Sequence, residues 1–100
     1  MPKTTYKLSL LAQDHLLKIK SYTIEEFSDA QWHKYKSNLL SGFQTLAENP
    51  GLGRSCDDIY GNGLYFPVEK HVAYYTKEDG FILIVAILGR YQLPKKHLQQ

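Results

Sequence analysis

A chain of 100 residues is the length of one domain, and one this small buries only about two thirds of its surface, so its stability is modest. Twelve basic residues against ten acidic leave a net charge of +2, too little for a protein steered mainly by nucleic acid. The single Cys56 cannot close an internal disulfide, the longest apolar run (FILIVAIL, 81–88) is too short for a bilayer, and the N-terminal MPKTTYKL lacks a signal-peptide core; the expectation is a soluble cytoplasmic protein with no membrane partner.

Thr5 to Leu10 alternates Tyr6, Leu8 and Leu10 with Lys7 and Ser9, the period of a half-buried strand. Ser9 is also placed to cap a following helix. From about Leu11 to Phe27, Ala12, Leu16, Ile19, either Tyr22 or Thr23, and then Phe27 recur in steps of three and four, one helical stripe. A second helix opens at Ser28, with Gln31 three residues on as a capping box and Asp29 in the first turn. Its stripe is Trp32, Tyr35, Leu39, Phe43 and Leu46, and Asn49-Pro50-Gly51 stops it. With so short a link the two helices form an antiparallel hairpin.

Three strand-like segments follow: LYFPV (64–68), HVAYYT (71–76) and FILIVAIL (81–88). Asp79-Gly80 is a hairpin turn between the last two. Pro67 places the first at an edge, and the uninterrupted apolar character of the third makes it central. If the N-terminal strand adds beside 81–88, the fold is α+β, in the order β-α-α-β-β-β: a helical hairpin on one face of a small, mostly antiparallel sheet. The other face then shows some of Tyr65, His71, Ala73 and Tyr75. Eight tyrosines in the chain suit either sheet filling or a face that a partner covers.

The sequence offers little for catalysis. His15, His33, His71 and His97 have no metal-like spacing, and His15 and His33 fall off the apolar stripes toward solvent. Cys56 belongs to no recognisable Cys–His arrangement. Asp57-Asp58 reads as a solvated loop or local cap, and GLG and GNG lack the strand–glycine–helix setting of a phosphate loop. No catalytic residue, metal or cofactor is expected. Arg54 is one of only two arginines; it either engages a partner or pairs with Asp57 or Asp58. Arg90 follows the last strand directly and heads a tail, Gly89 to Gln100, that carries Lys95, Lys96 and His97 but no acid.

The stretches YKLSLLAQDHLLKIKSYT, LAENPGLGRSCDDI, FPVEKHVAYYT and ILGRYQLPKKHL, in that order, resemble the toxins of the RelE/ParE superfamily in bacterial type II toxin–antitoxin systems. The ParE branch is nearer than the RelE branch. The resemblance covers nearly the whole chain and implies the same β-α-α-β-β-β fold. It implies a growth-inhibiting toxin, acting in plasmid or chromosome maintenance, that poisons DNA gyrase and is neutralised by a ParD-like antitoxin, with oligomers formed through the toxin–antitoxin complex. Arg90, Tyr91, Lys95, Lys96 and Arg54 are the target-binding candidates, and Tyr65, His71, Tyr75 and Trp32 the antitoxin-binding ones. The alternatives are a RelE-like ribosome-dependent mRNA endonuclease and a non-toxic relative that only binds antitoxin. The chain departs from the nuclease pattern. Leu64-Tyr65 stands where arginine is common before FP, Ala86 stands where many relatives carry arginine, and Gly89 replaces the usual histidine.

Overall fold

The computed structural model describes residues 5–56 and 61–89. The elements are β1 (Thr5–Leu8), α1 (Leu10–Glu26), α2 (Asp29–Glu48), a 3-10 turn (Pro50–Leu52), β2 (Arg54–Ser55), β3 (Gly63–Val68), β4 (His71–Lys77) and β5 (Phe81–Gly89). This is the expected α+β order with one addition, the two-residue β2. The sheet runs β1-β5-β4-β3-β2. β1 joins β5 in parallel, Thr5 opposite Phe81 and Leu8 opposite Ile84, and the other pairs are antiparallel. The N-terminal strand therefore flanks β5, which becomes central as its composition requires.

Both helices start where a serine frees them to start. Ser9 Oγ accepts from Ala12 N–H at 3.0 Å and Ser28 Oγ from Gln31 N–H at 3.0 Å. Ala12, Ile19 and Thr23 are the buried residues of α1, and Leu16 is half-buried. Thr23 rather than Tyr22 takes the inward position, its hydroxyl satisfied by Ile19 O at 2.7 Å. Phe27 departs from the expected stripe: it is 64% exposed. The helix ends at Glu26 and Phe27 has left helical geometry, so its ring turns outward, edge-on to the exposed Tyr22 at 6.5 Å. In α2 the expected stripe is inward: Trp32, Leu39, Phe43 and Leu46 are buried and Tyr35 is half-buried.

The core lies between this hairpin and the sheet. Leu39, Phe43, Leu46 and Ala47 pack with Val68, Ala73, Tyr75, Ile82, Ile84 and Ile87. Cys56, Tyr74, Ala86 and Leu88 form a second buried cluster, on the opposite face. The pairing of β5 with β4 shifts between Tyr74 and Tyr75: Tyr74 faces Ala86 while Tyr75 faces Ile84, leaving Val85 as a bulge, so that Ile84 and Ile87 join the first cluster and Ala86 and Leu88 the second. At the far edge, β2 covers β3 only at Leu64 and Tyr65, so Pro67, without an N–H to offer, sits beyond it on an open edge, as its chemistry demands.

Leu39 is wholly enclosed. Leu39→Ala is expected to cost about 2–5 kcal/mol, read from urea unfolding; a change within a few tenths would mean that α2 packs by another face.

Candidate functional site

Two features bring sequence-distant polar groups together, and a third places Arg54. The first is the 50–53 loop. α2 is closed by Asn49, whose N–H donates to Thr45 O and Leu46 O. Pro50 then opens a 3-10 turn. The Tyr75 hydroxyl donates to Pro50 O at 2.8 Å and accepts from Gly53 N–H at 2.9 Å. A β-carbon on Gly53 would collide with that hydroxyl, whereas one on Gly51 would meet nothing. Gly53 is thus required by close approach. Burial raises the Tyr75 phenol above its ordinary range, the Gly53 N–H partly offsetting it, so the hydroxyl keeps its proton as a donor.

The second feature is a cleft of about 360 Å³ between the α1–α2 corner and the β3–β4 turn, lined by Tyr22, Phe27, Gln31, Lys34, Tyr35, Asn38, Glu69, Lys70 and His71 among others. The Tyr35 hydroxyl lies 2.6 Å from His71 Nδ1 and accepts from Lys70 N–H at 3.0 Å. Burial pushes the His71 imidazole below its ordinary value, so the neutral ring accepts the Tyr35 proton at Nδ1. Glu69, in the β3–β4 turn, holds a left-handed φ of 57°, unusual for a residue with a side chain. The lining combines the aromatic Tyr22, Phe27 and Tyr35 with two lysines, Lys34 and Lys70.

Arg54 is exposed on β2 directly opposite Tyr65, and both line an open depression of about 450 Å³ with Leu52, Phe66 and Pro67. Two candidates assigned from sequence to different partners are therefore neighbours. His71 belongs to the other cleft. Trp32, 4% exposed, is mainly a core residue, though it borders a groove of about 280 Å³ with Leu17, Lys20 and Lys36. Tyr75 is a correction: it was expected on the open face as an antitoxin contact, but it is fully buried on the helix face and spends its hydroxyl on the 50–53 loop. Ala73 faces the helices for the same reason of alternation. His15 is a second correction. It is half-buried rather than solvent-facing, and its Nδ1 accepts from Ile87 N–H at 3.1 Å. His33 is exposed as expected. Arg90, Tyr91, Lys95, Lys96, His97, Asp57 and Asp58 lie outside the described residues. Phe27 was read as a stripe position, and only the helix end at Glu26 would have marked it as exposed; of Tyr22 and Thr23, left as alternatives, Tyr22 is the exposed one.

Among the described residues no group of His, Cys, Asp and Glu converges as a metal site, and no helix is long and apolar enough to cross a membrane. Residues 6–94 match the family described as ParE toxin of type II toxin-antitoxin system, parDE. Toxin ParE1 of Mycobacterium tuberculosis, in strain CDC 1551 / Oshkosh and in strain ATCC 25618 / H37Rv, is 31% identical over 84 residues, spanning 83% of this chain and 86% of the relative. A solved chain of the chromosomal ParDE TA system from P. aeruginosa superposes with a TM-score of 0.74 at 13% identity, covering 89% of this chain and 98% of that one.

Tyr75→Phe removes the hydroxyl that joins Pro50 and Gly53. It is expected to destabilise by about 1–2 kcal/mol, because a half-buried N–H and C=O lose their partner; denaturant unfolding measures it. For His71 the folded-state pKa is lowered, so between that value and the ordinary one the unfolded chain binds more protons. Stability is then full above about pH 6.5 and falls as the pH drops toward the lower folded value. Thermal melts from pH 8 downward should show this loss, and His71→Gln should shrink it.

Proposed function

The chain belongs to the ParE toxin family of type II toxin–antitoxin systems, and from that premise we propose that it arrests growth by inhibiting DNA gyrase, without being an enzyme, until a cognate ParD-like antitoxin binds it. The observation that carries this reading is the family match over residues 6–94. It is supported by what stands where a ribosome-dependent nuclease of the superfamily would hold its cations. Tyr65 is half-buried beside Tyr74, Ala86 is wholly buried opposite Tyr74, and Gly89 ends β5. None of these can donate a proton to a leaving group at neutral pH with the efficiency of a histidine, nor neutralise a phosphate.

The toxic contact is assigned to Arg90, Tyr91, Lys95 and Lys96, with Arg54 as the secondary cation. Arg90 follows β5 without a linker, and a tail free of acids gives a positive local field suited to an acidic protein groove or to the DNA that gyrase holds. The antitoxin is assigned to His71 with its cleft, to Tyr65, and to the rim of Trp32. Its toxin-binding part should be acidic, to complement Lys34 and Lys70 at one cleft and Lys20 and Lys36 at the other. The toxin then enters an oligomer through this complex and acts in the cytoplasm, where gyrase works.

The purified chain is expected to abolish gyrase supercoiling and accumulate cleavage complexes, and primer extension on translated mRNA should show no codon-positioned cuts. Codon-positioned cuts with gyrase unaffected would overturn the reading in favour of the nuclease. Arg90→Glu should lose growth inhibition at matched expression while still co-purifying with the antitoxin; undiminished inhibition would move the target contact to the loop around Arg54.

A further inference from the structure

β1 stops at Leu8, opposite Ile84, and Ser9 N–H to Ile84 O at 2.9 Å is the last main-chain bond between the first strand and β5. β5 continues to Gly89. Over this distal half β4 lies on one side, and on the other, among the described residues, no strand pairs with β5 beyond Ile84. Edge groups that are not solvated must find another partner. The chain has by then turned into α1, and two of its side chains supply that partner. Ser9 Oγ donates to Val85 O at 2.7 Å, and His15 Nδ1 accepts from Ile87 N–H at 3.1 Å. A backbone N–H only donates, so Nδ1 must present its lone pair; the tautomer is fixed by the strand. Ile87 is also a member of the helix-side core and sits opposite Ala73 on β4. The bond therefore ties a helix to a strand residue whose side chain is already immobile.

We propose that His15 is a positioning residue: its Nδ1 stands in for the missing strand neighbour, holds the distal half of β5 in register, and so fixes the direction in which the chain leaves Gly89 for Arg90. The functional half of this inference rests on the reading that the segment from Arg90 makes the toxic contact; the clamp itself rests on the geometry alone. The charged groups flanking His15 on its own helix are Asp14 and Lys18, an exposed ion pair at 3.1 Å, and the β5 residues from Val85 to Leu88 are all apolar. Asparagine tests the role cleanly. Its Oδ1 occupies the place of Nδ1 on the side chain and can accept the same bond, whereas alanine has no acceptor.

The experiment compares the full-length wild type, His15→Ala and His15→Asn, each first checked for a folded spectrum by circular dichroism. Amide exchange at Ile87, nitrogen–nitrogen coupling across the Ile87–His15 hydrogen bond, and growth inhibition at matched expression are then measured. The expected result is a coupling in the wild type, an Ile87 exchange rate raised about tenfold in His15→Ala, a matching loss of growth inhibition, and recovery of slow exchange and toxicity in His15→Asn. Unchanged Ile87 exchange in His15→Ala would overturn the clamp. Faster exchange rescued by asparagine, with growth inhibition equal in all three proteins, would overturn the positioning role. Failure of the wild type to inhibit gyrase would instead sink the proposed target and leave the exchange result standing.

Discussion

The architecture turns on one extra residue in β5. Val85 has no opposite number on β4, because Tyr74 pairs with Ala86 and Tyr75 with Ile84. In an unbroken strand Ile82, Ile84, Ala86 and Leu88 would all point the same way. With the bulge, Ile82 and Ile84 face the helices, Ile87 returns to them, and Ala86 and Leu88 fill the opposite cluster. A bulge disrupts the local ladder, and here the Val85 carbonyl is taken by the Ser9 hydroxyl at 2.7 Å. The Ser9 hydroxyl oxygen in turn accepts from Ala12 N–H. One side chain thus sets both where α1 begins and the phase of the central strand, and each face of the sheet inherits its composition from that point.

A second tether works over a similar span of sequence. Tyr75 comes from the middle of β4, yet its hydroxyl reaches past the core to Pro50 and Gly53. Burying a tyrosine this deeply is favourable only if the hydroxyl finds partners, and a loop of backbone amides and carbonyls supplies them. The loop gains in turn. It is short of regular structure, and closing it through a side chain removes two unsatisfied backbone groups at once. The polar stretch between helix and sheet is therefore a packed connection, with Gly53 where a β-carbon would not fit and Arg54 delivered to the exposed edge strand beside Tyr65.

Most of the framework was legible in the sequence because it rests on local period and capping chemistry. Ser9, Ser28 and the Asn49-Pro50 stop mark helix ends through their own hydrogen-bonding habits, and Trp32, Leu39, Phe43 and Leu46 declare a face by spacing alone. What could not be read depends on where the chain is in space. Phe27 continues the arithmetic of α1 but not its geometry, since the helix ends one residue earlier. His15 looks solvent-facing on a helical wheel, and only the absence of β1 beyond Leu8 creates a strand edge for it to meet. Tyr75 was misplaced because alternation groups His71, Ala73 and Tyr75 on one face of β4 without saying which face the helices cover. β2 is two residues long, too short for any period. The cleft at His71 joins α1, α2 and the β3–β4 turn, a convergence that no segment contains by itself.

The same packing constrains what the surface can do. An arginine at position 86 would enter a cluster of Cys56, Tyr74 and Leu88 that is almost wholly enclosed, and an unpaired guanidinium there would carry the full penalty of a buried charge. Tyr74 is held above its ordinary pKa, first by burial and then by its neighbours Cys56 and Tyr65. The sheet has therefore been filled with aromatic and aliphatic groups where phosphate chemistry would need cations. Among the described residues the exposed cations are spread over the helices, the β3–β4 turn, Arg54, and Lys7 and Lys77 on β1 and β4. Beneath that surface Ser9, His15 and Tyr75 tie α1 and the 50–53 loop to the sheet through single side-chain hydrogen bonds.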